Sequence, residues 1–293
     1  MGTATQPAID PAVASRPKRP ALRYMGGKWI LAPWIICHFP AHRLYVEPFG
    51  GAASVLLRKP RSFIEIYNDI DGDVVNLFRV LRDPASSDRL RSLLLMTPFA
   101  RDEFAGAYDV ADEPIEKARR LVVRSFMGYG SNAYSIHHRT GFRIDSTQKW
   151  TSPSGDWSRW PAEIEAFCSR LQGVSIENID ALALIRRVDA KESAALYYVD
   201  PPYPRNTRSS LKDRYTHEFN QHAELAELLH QVQGAVVLSS YPCASDDQLY
   251  RGWKRFEKSA YAEGARKRTE CLLLNPKAVA GLETHSPEKR SSK

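Results

Sequence analysis

Residues 43–54 read Arg43-Leu-Tyr-Val-Glu-Pro-Phe-Gly-Gly-Ala-Ala-Ser54. Arg43 to Glu47 has the composition of a short buried strand, Pro48 to Gly51 ends it in a glycine turn, and Ala52 to Arg58 continues as a helix. Downstream, Phe63-Ile-Glu-Ile-Tyr67 is a second strand closing at Asn68-Asp69, followed by a helix from Asp73 to Arg82. Strand, glycine turn, helix, strand is the grammar of a right-handed parallel βαβ unit. Upstream, the apolar stretch Trp29 to Phe39 is expected to be helical, with Pro33 tolerable only in its first turn.

The same grammar returns towards the C-terminus. Gly173 to Glu177 and Ala194 to Val199 are strand candidates. His222 to Val232 carries apolar residues at Leu225, Leu228, Leu229 and Val232, a helical stripe stopped by Gly234. Ala235 to Ser239 and Cys271 to Leu274 are further strands. Between the halves, Pro84 to Arg170 breaks the rhythm, being helical early and then aromatic, basic and glycine-containing. The expected fold class is therefore α/β: a doubly wound, mostly parallel sheet with an inserted, mainly helical segment. Residues 21–84 and 171–278 would form the sheet domain and 85–170 the insert. Residues 1–20 and 279–293 would be disordered tails.

No apolar run approaches the length of a membrane-spanning helix, and the Ala- and Pro-rich start lacks the apolar block of a secretion signal. Cys37, Cys168, Cys243 and Cys271 are scattered, without a Cys-x-x-Cys pair, and the histidines lack metal-ligand spacing. A protein of the reducing cytoplasm, without membrane or metal partners, is expected. The net charge of +7 is concentrated. Between Lys117 and Lys149 stand Lys117, Arg119, Arg120, Arg124, Arg139, Arg143 and Lys149 against Asp145 alone. Aromatic residues and glycines interleave them, a mixture that suits phosphate contact with base stacking, and equally a solvated basic face.

Two loops carry chemistry. In open parallel sheets ligands bind beyond the carboxyl ends of strands, where Gly50 and Gly51 let backbone approach a ligand. Asp69, 18 residues after Gly51, has the spacing at which a carboxylate meets the ribose hydroxyls of a nucleotide-like cofactor; a tight turn with a capping Asp is the plainer reading. The loop lacks the Gly-Lys-Ser/Thr ending of a phosphate-binding loop. The second is Asp200-Pro-Pro-Tyr203, directly after the strand ending at Val199. Its prolines stiffen the turn and leave carbonyls that only accept. Asp200 and the Pro201 carbonyl suit the two hydrogens of an aromatic amine, with Pro202 fixing the turn and Tyr203 stacking on the ring. Acceptors around such an amine strengthen it as a nucleophile by stabilising the positive charge that develops on it. Adenine and cytosine both satisfy this pattern, in DNA or RNA, and a nucleic-acid-binding protein without catalysis is the remaining alternative.

Arg23-Tyr-Met-Gly-Gly-Lys28, Tyr45-Val-Glu-Pro-Phe-Gly-Gly51, Tyr67-Asn-Asp69, Tyr198-Val-Asp-Pro-Pro-Tyr203 and Arg268-Thr-Glu-Cys-Leu-Leu-Leu-Asn275 occur in that order. In them the chain resembles the Dam-type DNA adenine methyltransferases over nearly all of Ala21 to Pro276. The resemblance implies a Rossmann-like methyltransferase domain, S-adenosylmethionine as methyl donor, and a flipped-out adenine in double-stranded DNA as acceptor. One monomer suffices for the transfer. By resemblance Tyr24, Lys28, Glu47, Phe49, Gly50, Gly51 and Asp69 hold the cofactor, with Lys28 on its carboxylate, and Asp180 contacts its adenine. Asp200, Pro201, Pro202 and Tyr203 form the catalytic turn. The insert becomes the target-recognition region, where Tyr129 and Asn132 approach DNA, Arg139 contacts a base edge, and Arg124 and Arg143 hold phosphates. Ala52 and Ala53 stand where many relatives have a further glycine.

Overall fold

The computed structural model describes residues 16–144, 152–190, 194–203, 217–261 and 267–284. Among them, strands β1 (Leu44–Glu47), β2 (Ile64–Asn68), β3 (Val174–Glu177), β4 (Ala195–Val199), β5 (Ala235–Ser240), β6 (Lys254–Tyr261) and β7 (Lys267–Leu274) form one sheet. Its order is β3-β2-β1-β4-β5-β7-β6. Pairing is parallel from β3 through β5, and β7 runs antiparallel to both neighbours. The chain winds outward from β1 to β3, returns to the centre at β4 and winds the other way. The boundary between β1 and β4 is thus the topological switch point.

Side-chain alternation along the central strands feeds two cores. Leu196 and Tyr198 of β4 enter one cluster, while Ala195, Tyr197 and Val199 enter the other. In chain order the helices are α1 (Ala32–Ile36), α2 (Ser54–Arg58), α3 (Gly72–Arg82), α4 (Pro84–Met96), α5 (Arg101–Gly106), α6 (Pro114–Met127), α7 (Pro153–Arg159), α8 (Ile164–Leu171), α9 (Ala181–Asp189), α10 (His222–Gln231), α11 (Ala244–Leu249) and α12 (Pro276–Glu283). Phe78 of α3, Leu121 and Phe126 of α6, Trp160, and Phe167 of α8 share one apolar cluster with Tyr67 and Leu196 of the sheet. The helices between β2 and β3 therefore complete one face of the central sheet. The other face is covered by Leu184 and Ile185 of α9 and Leu225 and Leu229 of α10.

Several boundaries differ from the sequence reading. The first helix is confined to Ala32–Ile36, with Pro33 in its first turn as required. Lys258 to Tyr261 and Lys267 to Arg268 pair in the β6–β7 hairpin, with 262–266 outside the described residues. The expected C-terminal tail begins instead as α12. Asn275 caps that helix by accepting from Ala278 N, and buried Ala278 with partly buried Val279 and Leu282 docks it. Of the expected N-terminal tail, residues 1–15 lie outside the described residues, whereas Lys18 N donates to Glu163 and Arg19 pairs with Asp156. No helix of the described residues is long and apolar enough to cross a membrane.

A buried ionic knot fastens α8 to the sheet. Glu65 on β2 accepts from Arg170 Nη1 at 2.7 Å, Arg170 Nη2 at 2.9 Å and Lys59 Nζ at 2.5 Å, and Arg170 also donates to Leu56 O. Burial raises the Glu65 pKa, but the Arg170 and Lys59 hydrogen bonds outweigh it and hold the carboxyl below its ordinary value. A depressed carboxyl contributes stability above its unfolded pKa and loses it as pH falls through the folded one. Glu65→Gln is expected to cost about 3–5 kcal/mol at neutral pH, leaving two buried cations without their carboxylate. Thermal melts against pH check it: the deficit should shrink as the wild type is acidified.

Candidate active site

The carboxyl ends of β1 and β4 open into one cavity of about 440 Å³, within the roughly 300–1,000 Å³ typical of small-ligand pockets. Its lining joins Tyr24 to Lys28, Glu47 to Ala52, Asn68 to Asp71, Ile179 to Ala181, Asp200 to Pro202, and Phe219. Two loops separated by some 150 residues of chain meet because β1 and β4 are parallel neighbours.

The glycine turn is built against aromatic rings. Gly50 N donates to Asn68 O, and a Cβ on Gly50 would stand 2.1 Å from the Tyr67 ring. Gly51 has φ +47°, and a Cβ there would meet the Tyr24 ring at 2.7 Å. Tyr67 Oη donates to Gly51 O, so the turn is held from both sides. Ala53 takes a left-handed φ of 52°, the one such non-glycine among the described residues. The strain is about 1–2 kcal/mol. The missing glycine is thus tolerated as backbone strain at the entrance to α2. Ser54 opens that helix, and its Oγ is buried at the cavity wall without a hydrogen-bond partner.

The acidic residues differ in environment. Asp69 accepts from Gly51 N at 2.7 Å and Asp71 N at 2.8 Å. Burial pushes its carboxyl up to about 6, against the pull of those two N–H groups. Glu47 Oε2 accepts from Tyr45 Oη at 2.7 Å and Leu56 N at 3.2 Å, and burial carries its pKa to about 8. Asp180 caps α9 by accepting from Ala183 N and still borders the cavity. Asn68 ties the loops together through Pro48 O, Ile179 O and Ile179 N. Phe49 meets Phe219 edge-on at 5.1 Å. Adjacent glycines, carboxylate acceptors, an unsatisfied buried hydroxyl and aromatic edges fit a polar, nucleotide-like ligand of the S-adenosylmethionine class.

At the end of β4, Asp200 Oδ1 receives Tyr203 Oη at 3.0 Å and Lys28 Nζ at 3.2 Å. Burial raises the Asp200 pKa while Lys28 and Tyr203 pull it down. Asp200, Pro201 and Pro202 border the cavity. The Tyr203 ring is only 4% exposed and is flanked by Lys28 Nζ, 4.9 Å from its centroid, and by Tyr241, centroid to centroid at 4.5 Å. Tyr203 thus stands behind Asp200 in this arrangement. Ser54, Asn68, Phe219, Tyr241 and Glu270 join the site without having been singled out by the sequence reading. The segments holding Asn68 and Glu270 carried a signal, as parts of the resemblance.

The residues expected to meet DNA divide. Gly128 bridges Phe142, Tyr129 N donates to Gly141 O, and Arg143 N donates to Met127 O, so residues 127–143 close as a hairpin-like arm. Tyr129 is 74% exposed. Asn132 is half-buried on the arm, and Arg139 is exposed with its guanidinium 5.2 Å from the Tyr108 centroid. Tyr134 stacks on Tyr24 at 4.3 Å, fastening the arm to the cavity rim. Arg143 pairs with Asp156 at 3.7 Å. Arg124 corrects the sequence reading: it is 3% exposed, and its guanidinium donates to Tyr134 O and Ala107 O. A group committed to two buried carbonyls is unavailable to a phosphate. Arg119 and Arg120 likewise pair with Glu116. Arg124→Ala is expected to lower stability by about 2–4 kcal/mol. DNA affinity measured on the folded fraction should stay close to wild type, while Arg139→Ala weakens DNA binding without loss of stability.

Among the described residues no group of three or more His, Cys, Asp or Glu gathers as metal ligands would. The family model for D12 class N6 adenine-specific DNA methyltransferases matches residues 24–266. The DNA adenine methylase of Escherichia coli K12 is 26% identical over 276 residues, covering 87% of this chain and 94% of that protein. That of Salmonella typhi is 25% identical over 279 residues with the same coverage. The Serratia marcescens enzyme is 26% identical over 285 residues, covering 90% and 97%. The match runs through the glycine turn, the insert and the Asp-Pro-Pro-Tyr turn alike, and the chain belongs to the D12 class of N6 adenine-specific DNA methyltransferases.

Proposed function

We propose that this chain methylates the 6-amino group of an adenine flipped out of double-stranded DNA, with S-adenosylmethionine as donor, and that it acts as a monomer. One observation carries the reading: the Asp200 turn and the glycine turn border the same cavity from neighbouring parallel strands. When bound, the cofactor supplies an activated methyl group on a sulfonium. Asp69 accepts its ribose hydroxyls, Asp180 its adenine amine, and the Gly50–Gly51 backbone with Ser54, Glu47, Phe49 and Tyr24 shapes the remaining wall. Lys28, paired with Asp200, meets the carboxylate of the cofactor's methionine end.

Asp200 Oδ1 is engaged by Tyr203 and Lys28, which leaves Oδ2 without a donor among the described residues. Oδ2 and the Pro201 carbonyl accept the two amine hydrogens, drawing the nitrogen towards a tetrahedral geometry and stabilising its growing positive charge. The target base cannot be reached inside a duplex, so extrusion precedes reaction. Tyr129, Asn132 and Arg139 on the exposed arm engage the DNA around the vacated position, with Arg143 at the arm's base near the backbone.

Two measurements test this. With tritiated methyl donor and unmethylated genomic DNA, label should appear in 6-methyladenine and fall at least about a thousandfold in Asp200→Ala, while cofactor binding persists. Unlabelled DNA in the presence of intact cofactor binding contradicts the assignment of substrate. Cofactor affinity should also decline as pH falls through about 6, because protonated Asp69 loses acceptor capacity. Asp69→Asn should bind weakly and lose that dependence.

A further inference from the structure

Two carboxyl groups, buried Glu270 and partly buried Asp200, flank one ammonium. Lys28 Nζ lies 3.2 Å from Asp200 Oδ1 and 4.0 Å from Glu270 Oε2, and it donates to Gly26 O at 3.0 Å. Lys28 is 5% exposed and Glu270 9%. Lys28 and Asp200 border the cavity; Glu270, on β7, does not. The groups facing Glu270 come from every neighbouring element. Lys28 precedes α1, Asp200 and Tyr203 follow β4, Tyr241 follows β5, and Lys258 is the cross-strand partner on β6. On β7 itself, Arg268 Nη1 donates to Tyr241 Oη at 3.2 Å.

The charges have opposite consequences for an acceptor of cationic character. An ammonium against Asp200 neutralises the carboxylate that must stabilise positive charge on an amine. A second carboxylate beside that ammonium restores one negative charge in excess to the trio. In a site of low effective dielectric, such a charge acts over a few ångströms without much screening. Glu270 does not border the cavity, so its influence passes through Lys28 and through space.

We propose that Glu270 is a positioning residue for methyl transfer: it holds and offsets the Lys28 ammonium, so that Asp200 keeps its acceptor strength towards the adenine amine. This rests on the function proposed above.

Glu270→Gln tests it, because it removes the charge and keeps the shape. In cofactor-free protein the Asp200 carboxyl is followed by carbon-13 NMR against pH, assigned with Asp200→Asn. Loss of a facing like charge should lower its midpoint by about one unit. The acid limb of kcat should move the same way, and kcat at neutral pH should fall roughly tenfold. Cofactor Kd should stay within about twofold. Glu270→Asp keeps the charge and should retain the wild-type midpoint with most of kcat. An unmoved midpoint with unchanged kcat in Glu270→Gln overturns the inference. Equal losses in Glu270→Gln and Glu270→Asp with an unmoved midpoint also overturn it, since packing then explains both. Wild-type protein inert towards adenine overturns the functional reading beneath it, and intact wild-type activity distinguishes the two failures.

Discussion

The parallel pairing of β1 with β4 is the constraint on which the site depends. Leu44 to Val46 lie in register with Ala195 to Tyr197, so the turns that follow the two strands emerge side by side. One turn is shaped by glycines and rings to admit a ligand, and the other presents a carboxylate on a stiff proline backbone. Neither loop would form an enclosed site alone. Their adjacency at the point where the winding reverses converts two local motifs into one cavity.

Buried charge sets the character of that cavity. Asp69, Glu47, Asp200 and Glu270 are all raised above their ordinary values by burial, each opposed by specific donors. Lys28 is the cation at the centre of the last two. Elsewhere the fold uses the same device structurally, as in the Glu65–Lys59–Arg170 knot that seats α8 against the sheet. Such groups are held by charged hydrogen bonds, and removing one partner exposes the full cost of the others.

The α/β order, most strands and both chemical loops were legible because buried parallel strands are near-continuous apolar runs and their turns carry punctuating residues. Strand β6 was not: Lys254-Arg-Phe-Glu-Lys258 is charged, as edge strands commonly are, and carries no buried apolar run. The basic run from Lys117 onward misled in one respect. A window of sequence counts Arg119, Arg120 and Arg124 as surface charge, but folding brings Glu116, Glu103, Asp73 and backbone carbonyls to them. Likewise, no spacing rule brings Tyr241 and Glu270 to Asp200, because their proximity arises from strand order. Ala53 illustrates the converse: the sequence marked a missing glycine, and the backbone shows the strained φ that a glycine would relieve.

The proposed function requires one cavity to align methyl donor and adenine. A crystal structure of the protein with a non-reactive cofactor analogue and a duplex containing its target shows whether it does. The analogue is expected along the Gly50–Gly51 turn with its ribose on Asp69. The adenine is expected to be extruded, with its 6-amino nitrogen about 3 Å from Asp200 and the Pro201 carbonyl. An adenine left stacked in the duplex, or extruded with Asp200 facing a group other than the amine, would contradict the proposed function.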